Sequence, residues 1–142
     1  MNGKNTQHLP LCVRALEERL NRTARESNQD LTRLRRQIAF DRFLARLFSC
    51  NYSNRFVLKG GYALELRLHK ARTTKDVDIC FNDQEGIMAG GEEGIRAIVR
   101  QAASVDIGDF FEFLLTLDLS LKSNEYPPEL RKCDSAVIVR PI

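Results

Sequence analysis

Two aspartates one residue apart, Asp76 and Asp78, open the segment Asp76-Val77-Asp78-Ile79-Cys80-Phe81. In an extended chain alternate residues share a face, so Asp76, Asp78 and Cys80 fall on one side and Val77, Ile79 and Phe81 on the other. Two carboxylates pointing the same way from one strand can bind Mg²⁺ ions jointly. A pair of such ions ~3.5–4 Å apart steadies the attacking and leaving oxygens of a phosphoryl transfer. Upstream lies Lys59-Gly60-Gly61. Glycines between a strand and a helix let backbone N–H groups approach a phosphate closely, and the helix N-terminus adds favourable partial charge. Lys59 beside them could neutralise that phosphate. A glycine pair is usually only a turn, and a pair of alternate aspartates is usually solvated charge. In this order and at this short separation, the two patterns together describe a metal-dependent nucleotide site.

The elements that must carry these residues are legible from periodicity. Pro10 suits a first helical turn, and Leu9, Leu16 and Leu20 with Ala15 and Ala24 give a broken apolar stripe to about Glu26. Ser27, Asn28 and Asp30 supply capping groups for a second helix from Leu31 to Cys50, with Leu31, Leu34, Ile38, Leu44, Leu47 and Phe48 as its apolar face. Its other face, with Arg33, Arg35, Arg36, Arg42 and Arg46, is read as solvated or as meeting phosphate. Arg55-Phe56-Val57-Leu58 reads as a strand, and Tyr62 to His69 as a helix after the glycine turn. Arg72, Thr73, Thr74 and Lys75 lead into the aspartate strand. Ile95, Ile98, Val99 and Ala102 mark a third amphipathic helix, and Gly108-Asp109 a turn. Phe110 to Leu121 is apolar enough for one long buried strand, and Ala136 to Val139 for another. The sequence stops three residues after Val139, so this last strand is expected to be an unfinished sheet edge that favours self-association.

Length and charge bound the partners. The 142 residues, 43% hydrophobic and 29% charged, fit one α/β domain and exclude disordered or fibrous classes. No apolar run approaches a membrane span and no secretory signal opens the chain, which predicts a cytoplasmic protein without a membrane partner. The net charge of +3 hides an asymmetry: residues 1–75 carry sixteen Lys/Arg against six Asp/Glu, a net of +10, and the remainder nets −7. A basic half beside an acidic half suits a polyanion held on one side and metal ions on the other. Cys12, Cys50, Cys80 and Cys133 form no CxxC pair, and are expected as buried free thiols.

Arg55-Phe56-Val57-Leu58-Lys59-Gly60-Gly61-Tyr62-Ala63-Leu64, followed by Ala71-Arg72-Thr73-Thr74-Lys75-Asp76-Val77-Asp78-Ile79, closely resembles the AbiEii/AbiGii toxin family of nucleotidyltransferases, which have the DNA polymerase β-like fold. The resemblance runs over roughly residues 9–118. It takes in the Leu31–Cys50 helix and Asp109-Phe110-Phe111-Glu112-Phe113, and its specific centre is 55–81. It implies a mixed sheet packed with helices, N-terminal helices preceding it, and Mg²⁺ (or Mn²⁺) as cofactor. It also implies a nucleoside triphosphate donor, an RNA acceptor such as tRNA, and an opposing antitoxin in a toxin–antitoxin or phage-defence pair. By position, Gly60 and Gly61 would hold the triphosphate, Lys59 would neutralise it, and Asp76 and Asp78 would bind metal. Arg72, Thr74 and Lys75 would contact phosphate or RNA, with a solvated turn as the alternative. The fold uses a third carboxylate on a later strand. Asp118 is the acidic residue inside a strand-like run after Asp78, although it stands where the family has an earlier strand. The family continues into a helical C-terminal region that this sequence lacks.

Two other readings remain open at this point. A non-catalytic module that kept the fold but not the third carboxylate would bind RNA or a partner through its basic first half. A phosphotransferase or antibiotic-modifying transferase on the same fold would share the glycine and aspartate motifs.

Overall fold

The computed structural model describes residues 11–68, 72–82, 91–109, 111–114, 116–120 and 135–140. It is a mixed α/β structure in which two helices precede the sheet. The helices are α1 (Leu11–Ser27), α2 (Leu31–Leu47), α3 (Gly60–Arg67) and α4 (Gly91–Ala103), and the strands are β1 (Phe56–Lys59), β2 (Val77–Phe81), β3 (Thr116–Ser120) and β4 (Ser135–Arg140). By contacts the chain falls into two compact units, Met1–Ile38 and Ala39–Ile142.

In the first unit, α1 ends where Asn28 adopts a left-handed φ of 50°, a conformation asparagine tolerates at a helix C-terminus. Asp30 then caps the start of α2, its carboxylate accepting the Arg33 N–H at 2.8 Å. Arg35 pairs with Glu17 at 2.7 Å on the surface, and the guanidinium holds the Glu17 carboxyl below its usual range.

In the second unit the strands form one antiparallel sheet of order β1-β2-β4-β3. Because β4 lies between β2 and β3, it is an interior strand and not the unfinished edge expected from sequence. Self-association through this strand therefore loses its rationale, the outer strands of the sheet being β1 and β3. Alternation works as expected on β2: Val77, Ile79 and Phe81 are buried in the core, with Phe56 opposite Phe81 in register and their rings 5.1 Å apart. Ile95, Val99 and Ala102 bury the apolar face of α4.

The α2 stripe drifts from the expected one. Phe40 and Phe43 are buried while Phe48 is 41% exposed. Arg46 corrects the sequence reading more sharply, since its side chain is only 2% exposed and neither solvated nor facing open phosphate space. Its guanidinium forks onto both carboxylate oxygens of Asp109, donates at 3.0 Å to the carbonyls of Arg42 and Phe111, and stacks 5.0 Å over the Phe113 ring. Its Nε is buried with no hydrogen-bond partner among the described residues. The Arg46 guanidinium, the Phe111 N–H and Arg42 together hold the Asp109 carboxyl below its ordinary range, against the opposing effect of burial.

Gly108, at φ +75°, makes the expected turn, its N–H donating to Asp106 Oδ1 at 2.7 Å. The long strand expected from Phe110 is shorter: residues 111–114 are irregular, because Arg46 and Asp109 take up the Phe111 backbone groups that a ladder would use, and β3 begins at Thr116. Cys12 and Cys50 are free as expected but only half-buried, whereas Cys80 is buried as expected but disulfide-bonded. The expectation for Cys133 lies outside the described residues.

Candidate nucleotide site

β1 delivers Lys59 to the edge of the site, and its Cα partner across the ladder is Asp78. The chain then reverses at Gly60, whose φ of +69° lies in the left-handed region that an L side chain rarely adopts. The bare face of this glycine is filled by Asp78: a Cβ added there would stand 2.9 Å from Asp78 Cγ and overlap the carboxylate itself. Gly61 makes a second close approach, since its Cβ would lie 3.0 Å from Thr74 Cβ. The glycine pair thus meets the β2 aspartate Asp78 with one residue and the segment preceding β2 with the other.

Thr74 in turn fixes Asp76. Its hydroxyl donates to the Asp76 carbonyl at 3.2 Å and accepts the Asp76 N–H at 3.4 Å, closing a tight local turn just before β2. On α3, the buried Glu65 accepts the Thr74 N–H at 3.3 Å. α3 is anchored from behind by Tyr62, whose hydroxyl donates to Asp41 at 2.6 Å and whose ring meets Phe40 edge-on. Burial first, and the Asp41 carboxylate second, push the Tyr62 hydroxyl far above the ordinary tyrosine range.

Beside these residues is a cleft of about 710 Å³. Gly61, Thr74 and Asp76 line it together with the cations Arg72 and Lys75, and Leu64 and Leu68 form an apolar wall. That size accommodates a nucleotide-sized ligand, and the combination of an apolar wall with a few polar groups is usual for small-molecule pockets. Leu64 and Leu68 are 54% and 56% exposed, an uneconomical position for leucines unless something covers them.

The structure therefore brings together Gly60, Gly61, Arg72, Thr74, Lys75, Asp76 and Asp78, with Lys59 opposite Asp78. Asp118 stands apart. It pairs with Ile138 of β4, which pairs on its other side with Asp78, so the two aspartates occupy one cross-strand row two strands apart. At the usual strand spacing their Cα atoms are roughly 10 Å from each other. Among the described residues there is no group of three or more His, Cys, Asp or Glu side chains arranged to hold a metal. The donor set at hand is the pair Asp76 and Asp78, whose hard oxygens suit Mg²⁺ or Mn²⁺.

Sequence reasoning passed over Glu65. The signal was present, because Glu65 follows Gly61 by four residues and must share its helix face.

Residues 42–128 match the family model described as nucleotidyl transferase AbiEii toxin, type IV toxin–antitoxin system. The chain belongs to the AbiEii family. The match spans more than half of the sequence and contains β1, α3 and β2 with every residue of the site. It starts inside α2 and leaves α1 outside, where the resemblance had been expected from residue 9. Neither a curated protein nor a solved structure matches the chain. AbiEii membership makes this a nucleotidyltransferase-toxin chain of a type IV toxin–antitoxin system, with a cognate antitoxin as its implied partner. No helix among the described residues is long and apolar enough to cross a membrane.

Proposed function

We propose that the chain is a Mg²⁺-dependent nucleotidyltransferase core that transfers a nucleotide from a nucleoside triphosphate to a hydroxyl of RNA, tRNA being one such acceptor, in the cytoplasm. The observation that carries the reading is the seating of the Asp78 carboxylate against the bare face of Gly60, which couples the phosphate turn to the metal strand. In this reading the Gly60 and Gly61 backbone meets the triphosphate, Lys59, Arg72 and Lys75 neutralise it, and Asp76 and Asp78 hold Mg²⁺ or Mn²⁺. The metal supplies charge stabilisation for the phosphoryl oxygens. The RNA hydroxyl oxygen attacks the α-phosphorus as its proton passes to water, the bond from that phosphorus to the oxygen bridging to the β-phosphate breaks, and pyrophosphate leaves with the displaced electron pair. Catalysis of this kind is positioning and charge neutralisation.

Calorimetric titration of each nucleoside triphosphate with Mg²⁺ tests the reading, using the wild type and the Asp76→Asn, Asp78→Asn double variant. Binding by the wild type that the double variant abolishes supports it, and labelled transfer to total RNA then identifies the acceptor. Equal binding by both forms would refute the metal assignment.

A second reading, a module that binds RNA without transferring to it, draws on the sheet order. β4, the neighbour of β2, is Ser135-Ala136-Val137-Ile138-Val139-Arg140 and carries no acid, while Asp118 is one strand further out. This reading predicts RNA binding that falls steeply with salt and is unchanged by the aspartate substitutions.

A further inference from the structure

We infer that Glu65 is a positioning residue of this site, its buried carboxylate setting the segment that presents Asp76. The inference rests on the nucleotide-site reading and adds to it a residue outside the glycine and aspartate motifs.

Glu65 is only 8% exposed. A carboxylate in such a place is costly unless hydrogen-bonded, and an apolar side chain on a short helix would be buried far more readily. One hydrogen bond that it accepts comes from the backbone N–H of Thr74, at 3.3 Å. Thr74 crosses the face of α3 on which Gly61 and Glu65 stand one turn apart, with Gly61 leaving room for its Cβ and Glu65 taking its amide. The hydroxyl of the same threonine brackets the N–H and carbonyl of Asp76. Glu65 thus acts on Asp76 through one intermediate residue, and α3 aligns both the phosphate turn at its start and the first aspartate. An eight-residue helix is marginal by itself, so its placement by Tyr62 and Asp41 belongs to the same device.

The test compares Glu65→Gln, which keeps an acceptor oxygen, with Glu65→Met, which keeps the volume and helix propensity but has no such acceptor. Amide exchange at Thr74 and calorimetric Mg²⁺–nucleoside triphosphate affinity are both measured well below the melting temperature. Losing one buried hydrogen bond corresponds to about a tenfold change. Thr74 exchange should accelerate about tenfold in Glu65→Met with affinity falling by a similar factor, while Glu65→Gln stays within about threefold on both. A merely stabilising Glu65 would lower the melting temperature without changing the affinity of folded protein, and that result overturns the inference. Unchanged Thr74 exchange in Glu65→Met also overturns it. If no form binds nucleotide while Thr74 exchange separates the two variants, the nucleotide reading falls and the Glu65–Thr74 link stands. Should Glu65→Met fail to fold, Glu65→Asp, which withdraws the carboxylate by one methylene, takes its place with the same outcomes.

Discussion

Gly60→Ala should destabilise the chain through two separable effects. The first is conformational: at φ +69° an alanine costs about 1–2 kcal/mol. The second is steric, because the new methyl would sit 2.9 Å from Asp78 Cγ and overlap its carboxylate. Overpacking of that kind adds about 1–3 kcal/mol, for a total near 2–5 kcal/mol. Gly108 provides the control, since it has φ +75° with nothing within 4 Å of its added Cβ. Gly108→Ala should therefore show the conformational cost alone, about 1–2 kcal/mol. Asp78→Ala removes the overlapping carboxylate and leaves only a 3.1 Å approach to Asp78 Cβ, which a small shift relieves. Urea unfolding of the two single variants and of Gly60→Ala, Asp78→Ala together closes a double-mutant cycle. The double variant should be more stable than the sum of the single losses predicts, by at least ~1 kcal/mol. Additivity within ~0.5 kcal/mol would mean that Gly60 and Asp78 do not touch, and the geometric basis of the site would go with it.

Other perturbations report on the framework. Arg46→Met leaves the Asp109 carboxylate buried without its main partner, and should cost about 3–5 kcal/mol in denaturant unfolding. Because the folded Asp109 carboxyl is held below its ordinary value of 3.8, its contribution is present above that value and is lost as pH falls through the lower folded pKa. Asp109→Asn should be less stable than wild type near neutrality and should lose less on acidification below pH about 4, as followed by unfolding at stepped pH. The Tyr62 hydroxyl is shifted the other way, so its contribution is complete below the ordinary tyrosine pKa of 10.0 and fades as pH rises toward the folded value. Absorbance titration should find a tyrosine that ionises only with alkaline unfolding. Tyr62→Phe should remove that component and cost about 1 kcal/mol at neutral pH.

What the sequence made legible was local. The glycine turn, the alternation along β2 and the stripe of α4 each depend on neighbours within a few residues, and each is found where periodicity puts it. Arg46 was hidden because it stands among arginines on a helix whose buried face turns as Phe40 and Phe43 replace the expected positions. Its burial depends on Asp109, 63 residues away, and on the Phe113 ring. The place of β4 was likewise hidden, since strand order is a property of long-range pairing that no window of residues contains. Glu65 fell between these cases. Its helical spacing from Gly61 was readable, but a single glutamate in a helix ordinarily reads as solvated, and only the fold brings the Thr74 amide to it.

The charge around the cleft bears on the order in which ligands enter. Glu65, Asp76 and Asp78 stand among or beside Lys59, Arg72 and Lys75, so the protein alone is nearly balanced in sign there. A triphosphate entering without metal would meet two or three carboxylates as well as the cations, and in a partly desolvated cleft like charges strongly oppose binding. Divalent ions entering with it would cancel the added charge and leave the original balance. In the proposed reading, the site would therefore favour a metal–nucleotide complex over the free nucleotide. Replacing Asp76 and Asp78 by asparagine should not only abolish the metal-dependent mode but also relax the discrimination against metal-free triphosphate, an effect that simple loss of a folded pocket could not produce.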